Sequence, residues 1–266
     1  MHFNFDFSAR QVLWTLEFAA QLILLVVLMG RDRMRRYPWF TTAMVLTTVR
    51  LMAEMLLVGR LAPLPYQEIL LVLGDLLVFV GLLVVVEMAR QAFAGAPRSM
   101  WIVNTVGLLA VSCGILAAWG PWPAFKDLAW ETPLGKLRLM QLTALKGEAL
   151  AAMLTVGLLI LVALFGRKYK AGWRSHTQQI LIGLSTSAIT LLTIQATVQS
   201  IIAKAHPQTQ AEYDHVVALL TRLMNATKLV HVAVLVWWIV WLWLDEPGTK
   251  QTPQDETAAL PEASGE

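Results

Sequence analysis

Only one cysteine, Cys113, occurs in 266 residues, and it lies inside an apolar stretch. No disulfide can form within the chain, and a lone cysteine among apolar neighbours behaves as a small hydrophobe. Charge is scarce too. Asp, Glu, Lys and Arg make up 15% of the residues, against about 25% in soluble globular proteins. The net charge is +3, and the arginines cluster beside apolar blocks. That placement reads as a topology signal, with no nucleic-acid partner implied.

Catalytic signatures are missing as well. There is no HExxH, no GxSxG and no Walker loop, and no activated nucleophile is visible. Among the histidines only His231 falls clearly within an apolar block, so a pair of axial haem ligands is lacking. His206 and His215, with Glu212 and Asp214, are spaced too loosely for a loop metal site. The sequence therefore leads to no catalytic residue, no cofactor and no metal. Residues 1–30 do not read as a cleaved leader: Asp6 precedes the single Arg10, the apolar run is long, and no small-x-small site follows.

What the chain has in excess is apolar residues, 57% of the total, gathered in blocks of bilayer-crossing length. The blocks cover roughly 11–30, 38–58, 68–92, 100–119, 146–166, 178–204 and 216–244. The expected fold is all-α, an integral membrane seven-helix bundle over residues 11–244. A short outer N-terminus (1–10) precedes it, and an acidic disordered tail (245–266) follows. Pro38 opens the second block, and Gly95-Ala96-Pro97 and Gly120-Pro121-Trp122-Pro123 break the chain around the fourth. Block six, rich in Ser, Thr and Gln, carries the weakest signal, and a half-inserted segment there is the alternative. Thr132-Pro133 reads as a helix start, so residues 133–145 either lie on the membrane surface or lengthen block five.

Basic residues set the direction. Arg31, Arg33, Arg35 and Arg36 follow block one; Arg90 and Arg98 flank the third connection; Arg167, Lys168, Lys170 and Arg174 follow block five. By the positive-inside rule these connections face the cytoplasm, with the N-terminus outside and the C-terminus inside, in the cell (inner) membrane. Trp14, Trp39, Trp101, Trp173 and the run Trp237, Trp238, Trp241 and Trp243 fall at block ends, as headgroup-level anchors do.

Ionisable and amide side chains inside spans are costly, so their positions are informative. Glu17, Arg50, Glu54, Asp75, Gln195, Gln199, Lys228 and His231 all fall in the expected outer halves, while Glu87 is the main exception on the inner side. Arg50 and Glu54, Gln195 and Gln199, and Lys228 and His231 each share a helix face by their spacing of three or four. These eight residues are the candidate ligand-binding set, lining an outward-facing cavity for a small polar solute. The same groups can equally fasten helices, with Arg50–Glu54 and Asp75–Lys228 as ion pairs. Lys228 invites comparison with a retinal-binding lysine. However, Met224 stands where an acid would be expected one turn earlier, and block six offers no aromatics.

A weak internal echo runs through the chain. LVVLMGR at 25–31 matches LVALFGR at 161–167, and Thr41 and Thr177 follow at the same distance. A single offset thus aligns blocks one–two with five–six. This suggests three-plus-one-plus-three parallel repeats, the layout of small sugar transporters.

The third-block ending Val86-Glu87-Met88-Ala89-Arg90-Gln91-Ala92-Phe93, with the seven-block topology, resembles uncharacterised seven-transmembrane-helix proteins of bacteria. Some of these form the sensing part of signalling proteins. The resemblance spans residues 11–244 and carries no functional residues across. The outward-facing polar cavity, rather than the resemblance, leads to the expected function, a non-enzymatic sensor or receptor-like module signalling through a separate partner. Its surroundings would be the lipid bilayer, a small solute on the outer side and a protein partner at the basic cytoplasmic loops. A small-solute or ion transporter and a structural subunit of a membrane complex are the alternatives.

Overall fold

A computed structural model describes residues 9–94, 97–120, 122–123, 132–165, 175–205 and 209–245. Expectations for the extreme N-terminus, the loop carrying Arg167 to Arg174, His206 and nearly all of the acidic tail lie outside these residues. The described chain is helical throughout: α1 (Ala9–Gly30), α2 (Pro38–Leu57), α3 (Pro63–Ala92), α4 (Arg98–Ala118), α5 (Pro133–Phe165), α6 (His176–Lys204) and α7 (Gln210–Trp243). Over their described residues, α1, α2, α3, α5, α6 and α7 are long and apolar enough to cross a membrane, so the molecule is a multi-pass helical bundle.

The helix starts follow from local chemistry. Pro38, Pro63 and Pro133 occupy first-turn positions, where a missing N–H costs nothing. Ser175 and Thr209 accept from the backbone N–H of Gln178 and Glu212 and so cap α6 and α7. Three helices begin well before their apolar blocks: α3 at Pro63, α5 at Pro133 and α7 at Gln210. Hydropathy marks where lipid begins, whereas caps mark where the helix begins. At 1.5 Å per residue, the 33 residues of α5 span about 50 Å, more than the roughly 30 Å of hydrocarbon. Residues 133–145 are therefore the first turns of α5.

Block six, for all its Ser, Thr and Gln, forms a full-length helix. Helix α6 is 29 residues long and packs on α3, α5 and α7. Helix α4 packs on α5 alone among the described helices. The others close a ring in the order α1, α2, α3, α5, α6, α7 and back to α1.

The core sits at the basic end of the ring. Leu24, Leu28, Tyr37, Phe40, Met88, Val162, Ile180, Leu181, Leu235, Trp238 and Leu242 are essentially sealed. Trp238 meets Phe40 edge-on, with ring centroids 5.0 Å apart. Its indole lies against Gly183 of α6, where a Cβ would overlap the ring, so only glycine allows this approach. Polar groups lock the same end. Tyr37 donates to Thr177 (3.1 Å), Thr177 donates to the Gln91 side-chain oxygen (3.0 Å), and Gln91 donates to the Arg36 carbonyl (2.7 Å). Glu87 accepts from the backbone N–H of Trp39 (3.2 Å) and Phe40 (3.0 Å). It is thus the N-terminal cap of α2, supplied by α3, and this explains an acid where the sequence is otherwise apolar.

The echo's register does not survive in α1 and α5. The common offset sets Leu28, fully buried, against Leu164, 69% exposed. Shifting by two residues pairs Ala20 with Leu154, Gln21 with Thr155, Leu24 with Leu158 and Leu28 with Val162, all buried. Runs of Leu and Val match one another in any register, whereas buried faces match in one.

Candidate functional site

Beyond the sealed end, the buried residues of α6 stop at Ala188 and those of α7 begin only at Val234. Between the six ring helices lies a central cavity of about 430 Å³. Phe40, Met44 and Val84 form its wall toward the sealed end, backed by the Trp238 core. Glu17 comes from α1, Thr47 and Arg50 from α2, Glu148 from α5, Ser187 and Thr190 from α6, and Thr227, Lys228 and His231 from α7. Helical spacing explains the grouping: Thr47 with Arg50, and Lys228 with His231, are three apart and present one face.

The charged groups form two poles. At the first, Glu17 Oε1 lies 3.7 Å from His231 Nε2, and Lys228 and Glu54 act on Glu17 through their fields. Glu17 is 8% exposed, and its second oxygen, Oε2, has no hydrogen-bond partner among the described residues. At the second pole, Arg50 and Asp75 act on Glu148 through their fields. The Arg50 guanidinium lies beside Gly74 of α3. Neither Arg50 nor Lys228 donates a side-chain hydrogen bond within the described residues.

The hydroxyls divide in the same way. Thr47, Thr155, Thr190 and Thr227 each donate to a carbonyl one turn back in their own helix. Ser187 does not, and its Oγ is buried without a partner among the described residues.

Of the eight candidates, Glu17, Arg50, Lys228 and His231 line this cavity. Glu54 and Asp75 lie outside its lining and reach it by their fields. Asp75 accepts from Thr143 of α5 (3.1 Å), and no ion pair joins it to Lys228 among the described residues. Gln199 faces Gly120 and lines a second cavity of about 950 Å³ between α4, α5 and α6. Gln195 is half-buried, its side-chain oxygen without a partner among the described residues.

Sequence reasoning missed Glu148 and Lys146, because a block of bilayer length begins at 146 and makes both read as boundary residues. The Thr132-Pro133 start was the available signal. Followed through, it puts Glu148 at the middle of a 33-residue helix. Lys146 donates to the carbonyl of Trp119 at the end of α4 and lies 4.4 Å from the Trp122 ring centroid. A cation at a helix C-terminus complements the carbonyls left free there, so Lys146 ties α4 to α5.

Chemically the cavity offers recognition. It sets hydrogen-bond donors on Arg50 and Lys228 against an acceptor on Glu17, within apolar walls. Among the described residues no three His, Cys, Asp or Glu side chains gather as metal ligands do. Comparison with protein families, curated proteins and solved structures finds no match to this chain.

Proposed function

We propose that this protein is a non-enzymatic, receptor-like module of a bacterial inner membrane that binds a small polar solute in its central cavity. In this reading the chain crosses the membrane seven times, with the N-terminus outside and the basic end in the cytoplasm. Solute enters from the outer side. The basic loops pass the resulting helix shift to a separate protein partner.

The observation that carries the reading is the uncommitted hydrogen-bonding capacity of the cavity. Helix-fastening side chains meet each other or backbone, as Glu87, Lys146 and Asp75 do. Arg50 and Lys228 make no side-chain hydrogen bond within the described residues, and with Glu17 and Ser187 they line a space of ligand size, since binding cavities hold about 300–1,000 Å³.

The test is a thermal-unfolding screen of the purified protein in detergent against amino acids, sugars, organic acids and metal ions. A ligand that binds only the folded state raises the melting temperature by mass action. A reproducible shift that Lys228→Met removes is the expected result. No shift with any probe and a normal melt would leave the assembly-subunit reading.

One observation favours the transporter alternative. Polar groups are buried on both sides of the Phe40–Trp238 contact: the cavity on one, and His176, Thr177, Gln178 and Gln179 on the other. Uptake of a stabilising solute into proteoliposomes separates the two, because a receptor binds without flux.

A further inference from the structure

We infer that the cavity is built for a zwitterion with an apolar side chain, an α-amino acid of the leucine or valine kind, its ammonium on the Glu17 carboxylate and its carboxylate on the Arg50 guanidinium. This rests on the solute-binding reading above and names the class of solute.

The uncommitted groups define a complement. Glu17 lines the cavity on a side chain nine-tenths buried, and its Oε2 has no hydrogen-bond partner among the described residues. It calls for a donor. Arg50 presents a planar fork of five donors, none used within the described residues, and a carboxylate meets such a fork with two parallel hydrogen bonds. Lys228 adds donors on the α7 side. The ligand must therefore carry a donor and an acceptor pair together.

Charge balance within the lining disfavours the simpler ions, with Glu54 and Asp75 acting on it from outside. The formal charges in the lining, Glu17 and Glu148 against Arg50 and Lys228, sum to zero with His231 neutral. A lone anion or cation would add one uncompensated charge to a low-dielectric site, which is strongly unfavourable, whereas a zwitterion keeps the sum at zero. A neutral polyol would keep the balance too, but it would leave the charge-assisted bonds unmade and would gain little from the walls. Those walls are Leu77, Val78, Val84, Leu184, Leu191 and Val230, which suit an aliphatic side chain.

The experiment uses the full chain in detergent and reads the melting temperature as a function of probe concentration. The probes are L-leucine, L-valine, 4-methylpentanoate (leucine without its amine), 3-methylbutan-1-amine (leucine without its carboxylate) and a sugar panel. The expected result is a concentration-dependent rise with L-leucine or L-valine and none with either half-molecule. Glu17→Gln should weaken the amino-acid effect about 10- to 100-fold, the worth of one charge-assisted hydrogen bond. If Glu17→Gln lowers the yield of folded protein, Arg50→Lys supplies the second variant. It keeps the charge and loses the fork, so it should weaken binding in the same direction.

A rise with 4-methylpentanoate or the amine equal to that with leucine overturns the zwitterion and leaves the solute cavity standing. So does a rise with a sugar alone, or a leucine effect that neither variant changes. No rise with any probe removes the solute-binding reading itself.

Discussion

Glu87 caps α2 across a helix–helix boundary, and the stability it contributes can be worked out bond by bond. An α-helix begins with four backbone N–H groups that have no carbonyl in their own helix. In α2 the first belongs to Pro38, which has none to satisfy, and Thr41 donates to the Tyr37 carbonyl (3.0 Å). Trp39 and Phe40 remain, and both donate to Glu87. Glu87 is 7% exposed, so water cannot replace it there. A hydrogen bond to a charged group is worth about 1.5–3 kcal/mol net. Glu87→Gln keeps one acceptor oxygen and should cost about 1.5–3 kcal/mol, while Glu87→Ala strands both N–H groups and should cost about 3–6 kcal/mol. At roughly 2–4 °C per kcal/mol for a chain of this size, the melting temperature should fall by about 5 °C for Gln and about 10 °C or more for Ala. Tryptophan fluorescence during heating in detergent reads both. Hydrogen exchange should rise first in the peptide containing Trp39 and Phe40. An alanine variant that melts with the parent protein, or a glutamine variant weaker than the alanine one, would refute the capping argument.

Three further outcomes are expected. Gly183→Ala places a Cβ against the Trp238 indole and should destabilise the protein by about 1–3 kcal/mol, with partial recovery when Trp238→Phe is added; the melting temperatures of the single and double variants check it. Lys146→Met removes the tie between α5 and the end of α4, so hydrogen exchange should rise across Ile102–Ala118 while the ring helices keep their protection. In a Cys113→Ser background, an impermeant maleimide should label Arg60→Cys on intact cells and Arg35→Cys only after permeabilisation. The reverse pattern would invert the proposed orientation.

The sequence by itself determined where helices run and which residues are out of place in lipid. Apolar blocks, proline starts and glycine breaks are local signals, and the helices cover every block. Glu17, Arg50, Lys228 and His231 stood out because a charge in a span is costly wherever the fold puts it. Tertiary structure decided which of those residues share a space. Spacing of four put Arg50 and Glu54 on one helix face, yet only Arg50 lines the cavity, because packing between helices chooses which turn of that face meets the centre. Asp75 and Lys228 looked like partners by sign and depth, but α3 turns Asp75 toward Thr143 on α5. Glu148 was hidden by a block boundary drawn at bilayer thickness, and a helix obeys its cap before it obeys the bilayer. The ring order and the exclusion of α4 from it were not legible at all. Hydropathy is a property of one segment facing lipid, whereas the choice of neighbours depends on small residues such as Gly183 and caps such as Glu87 that have meaning only once a second helix arrives.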